Sequence, residues 1–206
     1  MKFLILRRIT QISILALFIL GNFYGVKILS GNLSSSLLFG KIPLSDPFAL
    51  VQILLASFSA GINAIIGAGI IFAFYALVAP RAFCSWICPI NLLTDIAFKL
   101  REKFGFKGEK VLNVSKNLRY YLLALALILS LALSYLVFES VSYIGIIQRG
   151  VIYGSASALG IAVAIIAFDM FVLKRGICSH VCPLGAFYAI ISKFALIRVK
   201  HDAQAC

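Results

Sequence analysis

Two short motifs carry the cysteines with the clearest chemical pattern in the chain. One reads C-S-W-I-C-P and the other C-S-H-V-C-P, so both have the form C-x3-C-P. The second motif lies 94 residues after the first, and the same offset relates several flanking residues. Cysteine is common in buried positions, but packing alone gives no reason for such a duplication. The equivalent pairs are Arg81/Arg175, Cys84/Cys178, Ser85/Ser179, Cys88/Cys182, Pro89/Pro183 and Lys99/Lys193.

The proline that ends each motif predicts a helix whose first turn follows the second cysteine. Free N–H groups and the helix dipole favour a thiolate at that position, and the preceding arginine adds positive charge. The form C-x3-C-P also closes the ferredoxin run C-x2-C-x2-C-x3-C-P, which holds iron–sulfur clusters. The candidate metal and cluster ligands, enough for at most one all-cysteine [4Fe-4S] cluster, are therefore Cys84, Cys88, Cys178 and Cys182.

Two other roles for the cysteines stay open from the residues alone. A membrane dithiol pair would also use cysteines, although such pairs normally have the spacing C-x-x-C and need no second copy. Palmitoylated or simply packed cysteines would account for a position next to apolar segments, but not for the repeat. Ligation accounts for the charge, proline, spacing and duplication together.

The composition indicates which class of protein positions these motifs. Of the 206 residues, 62% are hydrophobic and 13% charged, and the mean hydropathy is +1.05. Soluble chains have about 45–50% apolar and about 25% charged residues, so the composition excludes a soluble globular fold and indicates an integral membrane protein. The net charge of +12 is typical of loops held on the cytoplasmic side, and we expect membrane lipid and no nucleic acid as a partner.

Runs without charged residues predict the membrane-spanning segments, since a helix needs about 20 apolar residues to cross the hydrocarbon. Three of the runs have 18, 19 and 19 residues and predict single crossings. The second run has 34 residues and predicts one tilted or extended helix with an interfacial piece near Pro47. In chain order the four runs are 9–26, 47–80, 120–138 and 150–168.

The basic residues predict the orientation of these segments. Sixteen of the 19 Lys and Arg residues fall at the head of the chain, across 81–119, or after the fourth run. Because basic loops stay on the cytoplasmic side, we predict that both termini and both motifs are cytoplasmic. The predicted fold is an all-α membrane protein of four transmembrane helices, arranged as two repeated hairpins at 1–104 and 120–195 with a basic linker at 105–119. Each hairpin is followed by its C-x3-C-P motif and an amphipathic helix.

With CSWICP and CSHVCP on four predicted helices, the chain resembles the NapH-type family of ferredoxin-like membrane quinol dehydrogenase subunits. The resemblance implies a multi-pass protein of the bacterial cytoplasmic membrane that oxidises quinol from the quinone pool. It also implies [4Fe-4S] clusters, an iron–sulfur partner subunit and electron flow to a periplasmic reductase such as nitrate reductase. Only the four motif cysteines carry over as cluster ligands, and no catalytic residue is identified.

The resemblance further implies a cytoplasmic ferredoxin module with two clusters after the fourth helix. In the segment 196–206, apolar and basic residues alternate over 197–200 as in a strand, and a loop at 201–205 leads to Cys206. We expect Cys206 to be the first ligand of that module in a C-terminally truncated chain. A terminal cysteine on a frayed tail is the alternative.

Quinol oxidation releases protons, so a base is expected near the quinol. Candidates in the predicted outward loop are Glu139, Tyr143, Gln148 and Arg149, and Asp169 is a candidate proton relay. A solvated loop and an interfacial carboxylate are the simpler interpretations.

Two other functions compete with a quinol dehydrogenase. One is a non-catalytic assembly or accessory factor for a respiratory metalloenzyme, and the other is a membrane dithiol relay.

Overall fold

The computed structural model describes residues 2–25, 28–77, 82–104, 115, 117–172 and 176–195. The elements of the first half are α1 (Lys2–Phe23), β1 (Leu29–Gly31), β2 (Ser35–Leu38), β3 (Ile42–Ser45), α2 (Pro47–Ser57), α3 (Ile62–Leu77), a π-helical turn π1 (Phe83–Ile87) and α4 (Pro89–Lys103). The second half contains α5 (Leu118–Leu133), α6 (Val137–Val141), α7 (Tyr143–Tyr153), α8 (Ala156–Phe171), a second π-helical turn π2 (Ile177–Val181), α9 (Pro183–Ile191) and a 3-10 turn at Ser192–Phe194.

The fold is mostly helical, as predicted, but the prediction of an all-α protein missed a small sheet. Strands β1, β2 and β3 form an antiparallel meander in sequence order. Phe39 and Gly40 both have positive φ, at 53° and 66°, and they make the tight turn between β2 and β3. The strands are only three or four residues long, so their apolar alternation is too short to stand out in the sequence.

The run at 47–80, predicted as one tilted or extended helix with an interfacial piece near Pro47, forms two helices, a short one that begins at Pro47 and a longer one at Ile62–Leu77. The prediction of a single long helix was therefore wrong. Asp46 caps α2, and the chain leaves the helix at Phe58, which has a left-handed φ of 52°. After a short connection α3 runs back past the start of α2, so that Gly67 lies against Pro43 and Ser45. A Cβ on Gly67 would stand 2.8 Å from the Pro43 carbonyl oxygen, which is closer than atoms of this kind approach. The glycine therefore permits this reversal.

A second reversal lies where the fourth span was predicted to begin. Helix α7 ends at Gly154, which has a φ of 68°, and α8 begins at Ala156. Gly150 in α7 packs so closely on α8 that a Cβ there would stand 1.8 Å from the Cβ of Ala158. The segment predicted as an outward loop thus forms α6 and α7, and α7 folds back on α8.

The offset of 94 residues also relates the helices of the two halves. Helix α8 begins and ends 94 residues after α3, π2 follows π1 by the same interval, and so do the starts of α9 and α4. The two halves also interlock. Helix α4 packs on α8 of the other half, whereas Tyr188 of α9 packs edge-to-face on Tyr75 of α3, with ring centroids 5.0 Å apart. This exchange brings the two π-helical turns together.

Among the described residues, only α1 is long and apolar enough to cross a bilayer, over Leu4–Phe23. Helices α2, α3, α5 and α8 are apolar but shorter. Helices α1, α3, α5 and α8 each expose several large apolar side chains, including Ile12, Ile66, Ile128 and Leu159. These outward surfaces contrast with α2 and α7, which bury several of their side chains.

Candidate functional site

The four motif cysteines line a single cavity of about 330 Å³. Cys88 and Cys182 are buried, Cys84 and Cys178 are half-buried, and none of the four forms a disulfide. The cavity lies between π1 and π2, so each half of the chain contributes one pair of thiols. The remaining walls include Arg7 of α1, Asn91 and Thr94 of α4, and Tyr143 of α7.

The prolines explain why a π-helical turn precedes α4 and α9. Proline disfavours helical geometry at the residue before it, and Cys88 and Cys182 accordingly have extended ψ angles of 122° and 109°. Each helix therefore begins at its proline, as the sequence predicted. The amide of each second cysteine closes the wide turn by donating to the carbonyl five residues earlier, at 2.9 Å in both halves. Such turns are frequent at functional sites.

Side-chain amides hold π1 in place from two sides. Gln11 of α1 is fully buried, and its Nε2 donates to the carbonyls of Ser85 and Cys88 at 3.3 and 3.5 Å. Nδ2 of Asn91 donates to the carbonyls of Cys84 and Ser85 at 3.1 and 3.2 Å. These bonds satisfy carbonyls that a π-helical turn leaves without a regular helical partner, so they fix the direction of the first cysteine pair.

The second turn, π2, has a different set of supports. Asp169 of α8 accepts a hydrogen bond from the Ile177 amide at 3.2 Å, so this carboxylate anchors the beginning of π2. Sγ of Cys182 accepts a hydrogen bond from the Gly185 amide at 3.3 Å, and the Tyr143 hydroxyl lies beside the same sulfur. An anchoring role differs from the proton relay suggested for Asp169 by the sequence.

Positive charge beside the cavity comes from α1 and α5. Arg7 lines the cavity, and Arg7 and Arg8 both pair with Asp95 of α4. The charge of Arg119 lowers the pKa of Cys182. The arginines predicted to supply this charge, Arg81 and Arg175, lie outside the described residues, as does Lys174.

Burial controls the protonation of the thiols. Desolvation raises the pKa of Cys88, Cys178 and Cys182, and the neighbouring cysteines raise the pKa of Cys88 and Cys178 further. The N-terminal amides of α9 do lower the pKa of Cys182, as the sequence predicted, but burial outweighs them. Burial thus favours the protonated form of these thiols, since a buried thiolate requires a compensating positive charge.

The donor set fits an iron–sulfur cluster better than a single ion. Within the described parts of the chain, no three His, Cys, Asp or Glu residues lie close enough together to hold one metal ion. The four sulfurs are instead spread over the walls of one cavity, which suits a group of several atoms. Four cysteines are the usual ligand set of a [4Fe-4S] cluster.

The outward-loop candidates have different surroundings. Tyr143 lines the cysteine cavity, whereas Gln148 is buried and accepts a hydrogen bond from the Leu33 amide at 2.9 Å. Arg149 is exposed and donates to its own helix, at the Gly145 carbonyl. Glu139 accepts hydrogen bonds from the Ser34 hydroxyl at 2.8 and 2.9 Å. Of these candidates, only Tyr143 lines the cysteine cavity.

Other predicted residues lie apart from the cavity. His180 forms a 2.6 Å hydrogen bond with the neighbouring Ser179 and does not line the cavity. Lys99 and Lys193, which share the repeat offset, are exposed. Cys206 and the rest of the predicted ferredoxin segment at 196–206 lie outside the described residues.

A second cavity, which sequence reasoning missed, adjoins the cysteine cavity. Its volume is about 160 Å³, its walls are mostly apolar, and Phe83 lines both cavities. Its polar lining residues include Ser36, Ser45, Asp46 and Tyr188, and the Tyr188 hydroxyl donates to Oδ1 of Asp46 at 2.7 Å. Asp46 and Tyr188 are 142 positions apart and belong to opposite halves, so no local pattern connects them.

Known proteins resemble the chain over nearly its whole length. The family described as "4Fe-4S binding domain" matches twice, at residues 60–107 and 155–201. The methylamine utilization ferredoxin-type protein MauN of Methylorubrum extorquens is 42% identical over 94% of this chain and 67% of its own length. The ferredoxin-type protein NapH of Haemophilus influenzae is 40% identical over 97% of this chain and 69% of its own length.

NapH of Escherichia coli is 37% identical over all of this chain and 71% of its own length. No solved structure matches the chain significantly. The two domain matches each contain one C-x3-C-P motif, and the curated relatives share the ferredoxin-type description. The chain therefore belongs to the NapH/MauN family of ferredoxin-type electron-transfer proteins with a 4Fe-4S binding domain.

Proposed function

We propose that this protein oxidises membrane quinol and passes the electrons, through an iron–sulfur cluster, towards a periplasmic reductase. The observation that carries the proposal is the shared cavity of Cys84, Cys88, Cys178 and Cys182, one pair from each half of the chain. In this proposal all four thiolates hold one [4Fe-4S] cluster. When bound, such a cluster accepts and donates single electrons.

The protein's own residues prepare this site for an anionic group. Gln11 and Asn91 fix the carbonyls of π1, and Asp169 fixes the first amide of π2, so both cysteine pairs are held before any ligand binds. Arg7 in the cavity wall and Arg119 nearby place positive charge beside the sulfurs. Buried thiolates are stabilised by such charge, and preorganised ligands lower the ordering cost of binding.

The exposed apolar surfaces support a multi-pass arrangement in the bacterial cytoplasmic membrane. Helices α1, α3, α5 and α8 each present large apolar side chains outwards, which water would disfavour and lipid would not. In this proposal these four helices face lipid, α2 and α7 are short re-entrant helices, and the two units are 1–104 and 120–195. Both termini and both motifs lie on the cytoplasmic side, because basic segments stay on that side of the membrane.

The quinol substrate and the reductase rest on the family relationship. The relatives are named for ferredoxin-type character and for methylamine utilization. The position of an apolar cavity directly beside the cysteine cavity supports a lipid-soluble electron donor. An iron–sulfur partner subunit would then receive the electrons, with nitrate reductase as one candidate for the final acceptor.

The test uses purified full-length protein loaded with iron and sulfide under reducing, oxygen-free conditions. We expect bound iron and an electron paramagnetic resonance signal on reduction, and we expect added quinol to produce the same signal. Replacing Cys178 by Ser should remove the signal, whereas replacing the adjacent Ser179 by Ala should retain it. Full iron binding by Cys178→Ser would contradict ligation, and an iron-free protein that exchanges disulfides would favour the dithiol relay.

A further inference from the structure

The apolar cavity beside the cysteine site has the dimensions of one six-membered ring. Its volume is about 160 Å³. An engineered protein cavity of about 150 Å³ binds benzene, so a single substituted ring is an occupant of suitable size. Three aromatic side chains of the wall, Phe18, Tyr75 and Phe83, are buried and offer faces and edges for ring packing.

The cavity is bounded by the helices that expose apolar surface. Ile14 of α1 and Ile71 of α3 line the cavity, and both helices carry exposed apolar side chains next to these positions, such as Ile12 and Ile70. A hydrophobic molecule dissolved in lipid would therefore reach the cavity between α1 and α3 without crossing water. A water-soluble substrate would find no such route favourable.

One side of the cavity carries a hydrogen-bonding pair. Asp46 accepts hydrogen bonds at Oδ1 from the Tyr188 hydroxyl at 2.7 Å and from the Phe48 amide at 3.4 Å. Asp46 is only partly buried, and since it lines the cavity, part of its surface faces the cavity. A mostly apolar pocket with one convergent polar pair is the common form of a site for an amphipathic ring.

The position of the cavity relates it to the cysteine site. Phe83 forms part of the wall of both cavities, and its backbone continues directly into Cys84. Tyr188 stacks on Phe83 with ring centroids 5.4 Å apart and planes inclined by 25°. A ring bound in the apolar cavity would thus lie against Phe83, whose side chain also forms part of the wall of the cysteine cavity.

We propose that this apolar cavity binds the head group of the quinol and that Asp46 accepts a proton from one of its hydroxyl groups. In this step the quinol O–H bond breaks, a new O–H bond forms on the Asp46 carboxylate, and the products are a quinol monoanion and a neutral carboxylic acid. The inference rests on the proposed function for its substrate. Tyr188 is a positioning residue that orients the carboxylate.

The groups around Asp46 agree with a proton-accepting role. Its carboxyl is faced by Tyr188 from α9, Tyr75 from α3 and Glu139 from α6. Desolvation raises the pKa of Asp46 to about 6, the Tyr188 hydrogen bond lowers it, and the charge of Glu139 raises it. A carboxylate of this basicity is deprotonated at neutral pH and binds a proton more readily than an ordinary aspartate.

The experiment measures quinone binding to the full chain in detergent, independently of iron. Trp86 is the only tryptophan and lies in π1 between two cavity-lining residues, Phe83 and Ile87. The probe is duroquinone, a single-ring quinone, which quenches nearby tryptophan fluorescence. We expect saturable quenching by the unmodified protein. Replacing Leu44, which lines the cavity, by Phe should weaken binding at least tenfold because the added ring fills the space.

Leu37 provides a matched control for Leu44. It lies on the neighbouring strand β2, pairs with Pro43, is 44% exposed and does not line the cavity. Leu37→Phe should bind duroquinone like the unmodified protein. Equal affinities for Leu44→Phe and Leu37→Phe would overturn this location for the site.

The carboxylate is tested by the rate of quinol oxidation as a function of pH. We expect the rate of quinol oxidation by the unmodified protein to fall below about pH 6, as Asp46 becomes protonated. The rate for Asp46→Asn should be at least tenfold lower than that of the unmodified protein at neutral pH, and it should show no step near pH 6. A step that persists unchanged in Asp46→Asn would overturn the proton-accepting role. Duroquinone binding by a Cys178→Ser protein that lacks iron would support quinone binding in the apolar cavity even if the cluster proposal failed. Failure of the quinone site and failure of the cluster site can therefore be told apart.

Discussion

The hydroxyl of Tyr188 donates a 2.7 Å hydrogen bond to Asp46, a residue 142 positions earlier in the chain. This bond joins α9, which follows the second cysteine motif, to the start of α2 in the first half. The Tyr188 ring also packs on Tyr75 and Phe83 of the first half. One tyrosine therefore connects the helix after one motif to the cavity beside the other, and its loss would affect both.

The pH dependence of stability tests the environment of Asp46. Burial raises its pKa from 3.8 to about 6, so the folded protein binds this proton more tightly than the unfolded chain. The resulting stability is present below about pH 4 and is lost as the pH rises through 6, by at most about 3 kcal/mol. Asp46→Asn keeps the helix cap and removes the charge. We expect its melting temperature to change less between pH 4 and 7 than that of the unmodified protein.

Glu139→Gln is the control for this measurement. Because the charge of Glu139 raises the pKa of Asp46, its removal should move the pH-dependent fall in stability to lower pH without abolishing it. An Asp46→Asn protein with the same pH profile as the unmodified protein would show that another group titrates.

The close contact of α7 with α8 predicts that alanine substitutions at two glycines, one in each helix, have very different effects on stability. A Cβ on Gly150 would overlap the Cβ of Ala158, whereas a Cβ on Gly160 would meet nothing within 4 Å. Gly150→Ala should therefore lower the melting temperature, at a cost of about 1–3 kcal/mol. Gly160→Ala should be neutral or stabilising by up to about 1 kcal/mol, because glycine disfavours a helix interior. Similar melting temperatures for the two variants would contradict the packing of α7 on α8.

The arginines of α1 allow a test of the electrostatics around the cysteine cavity. Arg7 lines the cavity, whereas Arg8, which pairs with the same Asp95, does not. Removing a positive charge makes the addition of an electron less favourable. We expect Arg7→Gln to lower the midpoint potential of the bound cluster more than Arg8→Gln does, measured by a redox titration monitored by electron paramagnetic resonance. A larger effect of Arg8→Gln would contradict the placement of Arg7.

The orientation in the membrane has its own test. Ser35 lies in the exposed part of β2, and Lys103 ends α4 after the first motif. Reporter fusions at Ser35 should indicate the outer compartment and fusions at Lys103 the cytoplasm, because the basic segments are predicted to be inside. A cytoplasmic signal at Ser35 would contradict the proposed topology.

Sequence reasoning predicted the features that depend on local chemistry. The start of α4 at Pro89 and of α9 at Pro183 follows from the conformational limits of proline and its neighbour, so it is visible in the residues alone. The mainly helical fold follows from composition and from the length of the apolar runs. The repeat was visible because both halves keep the same offset.

Features that depend on tertiary contact were missed. The reversals near Phe58 and Gly154 interrupt runs that remain apolar throughout, since both arms of each reversal pack on other helices. Hydropathy cannot distinguish such a pair of short helices from one long span. The Asp46–Tyr188 pair arises from the exchange of helices between halves. The placement of Tyr143 beside Cys182 arises from the way α7 folds back within the second half, and a single sequence carries no signal for either contact.

The most direct test of a cluster shared between the two halves is the iron and acid-labile sulfide content of matched serine and alanine variants, measured after anaerobic reconstitution. We expect about four iron and four sulfide per chain for the unmodified protein and for Ser179→Ala. We expect a large loss of iron and sulfide for each of the four cysteine variants, two in each motif: Cys84→Ser, Cys88→Ser, Cys178→Ser and Cys182→Ser. Unchanged iron and sulfide in the variants of one motif, with loss confined to the other, would contradict a cluster shared between the two halves.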